Sequence, residues 1–188
     1  EAVYVGDDRA AGLDWLLEAL TTPGGSAFRL VVFLAVLAWL ARRRQWPIAA
    51  WVLTAVVFIG PLTSLLKAVY GRIRPDFDGG GARLDSLSFP SGHSSGIATL
   101  VTVALILAWP VLAPRARRIW LVVGVAAVVL VGATRLLLGV HYLSDIVGGW
   151  ALGIAWSLGV ALLFGALPGG RGALPAPAPP PVVGGVAR

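Results

Sequence analysis

Residues 94–114, Ser-Ser-Gly-Ile-Ala-Thr-Leu-Val-Thr-Val-Ala-Leu-Ile-Leu-Ala-Trp-Pro-Val-Leu-Ala-Pro, carry no charged side chain. A hydrocarbon layer of about 30 Å takes about 20 residues of helix to cross, so this stretch reads as a transmembrane span. Two more charge-free stretches of similar reach, Ile48 to Leu66 and Ile146 to Pro168, read the same way. Two shorter ones, Leu30 to Ala41 and Ile119 to Thr134, cross by tilting or by recruiting Ser26 to Arg29 and Leu136 to Leu138. The sequence therefore predicts an all-α, polytopic transmembrane helix bundle with five spans. The composition agrees: 57% of residues are hydrophobic and 13% charged, against about a quarter charged in soluble domains.

The formal net charge is +6, which could suggest nucleic acid. The arginines, however, fall in two short clusters wedged between apolar runs, Arg42-Arg43-Arg44 and Arg115/Arg117/Arg118. That is the pattern of cytoplasmic loops under the positive-inside rule, and nucleic acid is not an expected partner. Cysteine is absent, which removes disulfides and thiolate metal sites. Threading the chain from the two basic clusters puts residues 1–25 outside. The spans then run inward to Arg42, outward over about Trp46 to Lys67, inward over about Ser94 to Ala113, outward over about Ile119 to Leu137, and inward over about Tyr142 to Leu167. An outside N-terminus on a chain that starts at Glu1 without methionine reads as the loss of an upstream helix, in preference to loss of a signal peptide. Residues 9–20 have apolar spacing suited to a short helix, lying on the membrane surface or packed on the bundle as a connector. Residues 1–168 read as a single domain, and the Pro/Gly-rich residues 169–188 as a disordered cytoplasmic tail. The loop from Asp76 to Ser88, with Gly79-Gly80-Gly81, reads as a cover for the site or a plain connector.

Every polar island of this topology falls on the outer face. Lys67 and Arg74 are seven apart, two helical turns, and project to one side if the helix continues as far as Pro75. Two cations at the mouth of a span can hold a phosphate dianion; Arg72, off that spacing, reads as snorkelling to lipid headgroups. Pro90-Ser91-Gly92-His93 stands before a charge-free helix. Ser91 suits an N-cap, Gly92 admits close backbone approach, and free amides at a helix start attract anions. His141 and Asp145 are four apart, on one helix face, so the carboxylate can fix the imidazole tautomer and leave the other nitrogen nucleophilic. Arg135 lies six residues before His141, with Gly139 between to break the helix, so both can face one pocket. An ionisable residue this close to hydrocarbon is a functional candidate. Cations, imidazoles and a carboxylate together suit binding and attacking a phosphate, and the surrounding hydrocarbon suggests that it is carried on a lipid.

The ordered pattern Lys67-x6-Arg74-Pro75, Pro90-Ser91-Gly92-His93, Arg135-x5-His141-x3-Asp145 resembles the three-part signature of the type 2 phosphatidic acid phosphatase superfamily, in its membrane lipid phosphatase branch. The third motif usually opens Ser-Arg and here opens Thr134-Arg135, which keeps the hydroxyl. That branch commonly has six spans, which fits a missing upstream helix. The resemblance implies that His141 attacks phosphorus and becomes phosphohistidine, that Asp145 orients it, and that His93 protonates the departing lipid oxygen. Lys67, Arg74, Arg135 and the amides around Ser91 and Gly92 would neutralise the phosphoryl oxygens. No carboxylate cluster suits Mg²⁺ and two separated histidines do not make a zinc site, so no metal or cofactor is expected. Candidate substrates are phosphatidate, phosphatidylglycerol phosphate and polyprenyl diphosphates, the last preferred, met at the periplasmic or extracellular face of a bacterial plasma membrane. A lipid phosphotransferase would use the same site. A channel or transporter would need polar residues at mid-bilayer depth, whereas these gather at one end.

Overall fold

A bilayer satisfies no backbone donors, so long apolar runs become helices whose hydrogen bonds close within each segment. In the computed structural model, which describes residues 11–76, 86–170 and 172–175, the helices are α1 (Ala11–Thr21), α2 (Ser26–Arg42), α3 (Trp46–Tyr70), α4 (Gly92–Ala108), α5 (Pro114–Leu137) and α6 (Leu143–Leu163). Short 3-10 turns follow α1 (Thr22–Gly24) and α4 (Trp109–Val111). Four of them are long and apolar enough to cross a membrane alone: α3, α4 with its 3-10 turn, α5 and α6. The fifth expected span is bent: α2 reaches crossing length only with Trp15–Gly24, which it meets at 42°. α1 is a packed connector, with Leu17 buried against Leu138 and Val140 and Trp15 turned outward, 72% exposed. Most of the 76–88 loop, the first ten residues, and residues 171 and 176–188 of the tail lie outside the described residues, and with them the reading of a cover and most of the reading of a disordered end; residues 172–175 are ordered.

The outside of the bundle is hydrocarbon. Ile119, Val122, Leu162 and Leu163 are all exposed, which suits acyl chains and not water. Inside, α4 is the central helix, packed against α3, α5 and α6, and its first turns are lined with buried Ser94, Ser95 and Thr99. Small residues let its neighbours come close. A Cβ added at Gly149 of α6 would lie 2.7 Å from the Ser91 carbonyl oxygen, and one at Gly153 would lie 2.5 Å from that of Ser95. Thr63 of α3 shares a 3.1 Å hydroxyl contact with Ser95. At the other end, Phe33, Leu40, Trp51, Val103, Ile106 and Val160 belong to one large apolar cluster. There the chain beyond α6 turns back, and the Trp51 indole donates to the Gly172 carbonyl at 3.1 Å.

Helix ends depart from expectation in two places. α3 stops at Tyr70, where Gly71 adopts a left-handed conformation (φ 59°) and its amide returns to the Lys67 carbonyl at 3.0 Å. Lys67 and Arg74 therefore do not share a helix face; glycine ended the helix before proline could. α6 starts only at Leu143, so His141 precedes the helix and does not stand on its face with Asp145.

Candidate functional site

Asp145 is wholly buried at the third position of α6, and its carboxylate closes a capping box with the Tyr142 amide, which donates to Oδ2 at 2.9 Å. This capping geometry, and not helix-face spacing, brings His141 to it: Nδ1 lies 3.3 Å from Asp145 Oδ2. The Ser88 hydroxyl donates to the same oxygen. Nδ1 thus carries the proton and Nε2 keeps a lone pair, which accepts from Arg74 Nη1 at 3.1 Å. His141 is almost fully buried, and that burial, against the opposing pull of Asp145, pushes its pKa from 6.5 down to about 4. At neutral pH the imidazole is uncharged and nucleophilic.

Arg74 reaches this nitrogen from the non-helical segment after α3, its guanidinium held by the Val140 carbonyl (2.6 Å), the Ser86 carbonyl (2.8 Å) and the Ser86 hydroxyl (2.8 Å). Burial lowers its pKa, and the charge of Asp145 opposes the shift. Arg135, in the last turn of α5, is 8% exposed, and its Nε has no partner among the described residues. Gly139, at φ 68°, breaks the chain after α5 as expected and turns Val140 and His141 back toward that arginine. Lys67 leans on the carbonyls of Leu87 and Ser88 (3.3 Å to the latter) at the end of the loop. The Thr134 hydroxyl, the departure in the third motif, is donated to the Val131 carbonyl at 2.7 Å, inside its own helix.

Ser91 caps α4, its side chain accepting from the Ser94 amide at 3.4 Å. Its own amide is already spent on the Asp145 carbonyl at 2.9 Å, which leaves the amides of Gly92 and His93 as the donors at this helix start. Space around Gly92 is open. His93 follows in the first turn, and its Nε2 would lie 3.8 Å from a Cβ added at Gly25. The structure thus gathers Lys67, Arg74, the Ser91-Gly92-His93 turn, Arg135, His141 and Asp145 at one end of the bundle.

Arg72 was misjudged by spacing. It is no lipid snorkeller: Nη1 meets Asp145 Oδ1 at 2.9 Å and the Ser144 hydroxyl at 2.6 Å, while the guanidinium covers the Tyr142 ring at 4.8 Å. The αL turn at Gly71 swings it inward, and nothing in the local pattern announced that turn except the glycine itself. Ser88 and Arg29 also escaped notice. A serine in a polar loop carries no pattern, and Arg29 read as the edge of an apolar span.

Residues 48–167 match the family model of the PAP2 superfamily. Among curated proteins, the lipid A 1-phosphatase of Rhizobium etli is 37% identical over 62% of this chain and 50% of its own length. Phosphatidylglycerophosphatase B of Bacillus subtilis is 34% identical over 78% of this chain and 72% of its own. The chain thus spans about half the length of the lipid A 1-phosphatases it matches. The crystal structure of a transmembrane PAP2-type phosphatidylglycerolphosphate phosphatase from Bacillus subtilis superposes with a TM-score of 0.71 at 28% identity, covering 83% of this chain and 78% of that one.

Proposed function

This chain belongs to the PAP2 superfamily, and within it we propose an integral membrane phosphatase that removes phosphate from a lipid through a phosphohistidine intermediate. The observation that carries the reading is the line Asp145–His141–Arg74, in which the carboxylate fixes one ring nitrogen and the lone pair of the other meets a guanidinium. An incoming phosphoryl group would draw Arg74 from nitrogen to oxygen and put phosphorus within reach of Nε2. Nε2 bonds to phosphorus as the lipid–oxygen bond to phosphorus breaks, and His93 gives the departing oxygen its proton. His93 then takes a proton from water, whose oxygen displaces His141 and frees inorganic phosphate. Arg74, Arg135, Lys67 and the amides of Gly92 and His93 meet the charge on the equatorial oxygens. The orphaned Arg135 donor supports this, since a buried N–H without an acceptor is costly until an anion arrives.

The reaction is proposed to be metal-independent and to take place on the outer side, opposite the two arginine clusters. The relatives named above are phosphatases of lipid A and of phosphatidylglycerolphosphate, and both support an amphiphilic substrate. A polyprenyl diphosphate is the preferred candidate, ahead of phosphatidate and phosphatidylglycerol phosphate. The test is phosphate release by detergent-solubilised protein in EDTA, offered each of these lipids, beside His141→Ala. Release that EDTA spares and His141→Ala abolishes is expected. Strict dependence on added metal would sink metal independence, and release that survives His141→Ala would sink the nucleophile.

A further inference from the structure

Arg29 has no role in the reaction as described, yet it is built into the molecule with care. It sits one turn into α2, half-buried, and its guanidinium lies against the backbone of α4 at Gly96, where an added Cβ would stand 2.1 Å from Arg29 Nη1. Any side chain at 96 would evict it. Among the described residues no carboxylate pairs with it and no hydrogen bond holds its guanidinium. A charge in that position, at the edge of hydrocarbon and without a counter-charge, is expensive to keep without a ligand. It lines a cavity of about 240 Å³ between α2, α3 and α4, together with Ser26, Thr63, Ser64, Lys67, Gly92 and His93.

The position of this cavity relative to the reaction gives it a meaning. His93 and Lys67 line it, and His141, Arg74 and Arg135 do not. In-line displacement puts nucleophile and leaving oxygen on opposite sides of phosphorus, so a cavity walled by the acid and not by the nucleophile lies on the leaving side. A leaving alcohol takes up one proton, which His93 supplies, whereas a leaving phosphate keeps a charge of its own that a fixed cation can hold. We propose that this cavity receives a second phosphoryl group joined to the first through the scissile oxygen, so that Arg29 is a specificity-determining residue selecting lipid diphosphates over lipid monophosphates. The proposal rests on the phosphatase reading above. In balanced form, the P–O bond between the two phosphoryl groups breaks and His141 retains the terminal one. The lipid monophosphate departs with its bridging oxygen, now protonated or shared with Arg29 and Lys67.

The test uses the full chain in detergent with farnesyl diphosphate and farnesyl monophosphate, which share one tail, and with phosphatidylglycerol phosphate, whose second anion lies a glycerol away. For Arg29→Gln, kcat/KM for the diphosphate is expected to fall at least tenfold further than for the monophosphate, and Arg29→Lys to recover part of that difference. Should Arg29→Gln fail to fold, Ser64→Leu fills the same cavity from an exposed position of α3 and is expected to produce the same diphosphate-selective loss. Equal losses on both farnesyl substrates, or none, would overturn the proposal, and a loss confined to phosphatidylglycerol phosphate would replace the diphosphate with a phosphodiester. Wild-type protein that releases phosphate from none of the three would instead overturn the phosphatase reading itself.

Discussion

Asp145 accepts from four donors at once: His141, Tyr142, Ser88 and Arg72. A carboxylate is built only of acceptors, so it can serve all four, whereas an amide must turn its own N–H₂ toward one of them. Asp145→Asn is therefore expected to lower kcat by about 10³- to 10⁴-fold, the scale seen when an orienting carboxylate beside a catalytic histidine is made an amide. Arg72→Gln should lose less, and Arg43→Gln, at the far end, nothing; steady-state phosphate release ranks the three, and a different order would remove Arg72 from the site. The pH profile offers a second check. With the folded pKa of His141 depressed from 6.5 to about 4, the proposed nucleophile stays neutral down through that window and is lost only as the pH falls towards 4. The acid limb of kcat/KM, which reports the free enzyme, is expected nearer 4 than 6.5 when measured in buffers of constant ionic strength. The eight residues named from the sequence do meet at one end of the bundle, because a charge or imidazole among apolar runs has few places to go. Arg72, Ser88 and Arg29 stayed invisible because what they do is decided by chain reversals and by a glycine on another helix.

The helices themselves were legible for a plain reason: in hydrocarbon a run of apolar residues has helix as its only way to satisfy its backbone. Their ends were not. Gly71 ended α3 four residues before the proline that was expected to, and the start of α6 is set by a cap at Tyr142 that pulls Asp145 onto the chain before the helix. The packing of α6 on α4 is a matter of glycines, where added methyl groups would press on the carbonyls of Ser91 and Ser95. Gly153→Leu should destabilise by about 1–3 kcal/mol, the usual cost of overpacking, and should also reduce turnover, because the shift falls between the helix carrying His93 and the one carrying Asp145. Thermal unfolding in detergent beside phosphate release tests this. Full activity with an unchanged midpoint would mean that the two helices do not need this approach.

At the scale of the molecule, the alternation of helices sends the starts of α2, α4 and α6 and the ends of α3 and α5 to one end, and both arginine clusters to the other. The hydropathy and charge pattern announced that arrangement; the bend between α1 and α2 it did not, since α1 is held by Leu17 against residues far along the chain. Because the chain holds no cysteine, the orientation is open to a clean experiment. Ile73→Cys, at an exposed position beside the site, is expected to react with a membrane-impermeant thiol reagent added to whole cells, and Arg43→Cys only after lysis; the reverse pattern would put the site on the cytoplasmic side. The turn past α6 is fastened to α3 by Trp51. A second indole, Trp156 of α6, grips the Ala55 carbonyl of α3 at 2.9 Å in the same half of those helices. The two rods are thus clasped twice near the basic end, once directly and once through the turn past α6. Both indole clasps leave the histidine end alone, where Arg72, on the segment after α3, reaches across to Ser144 and Asp145 of α6.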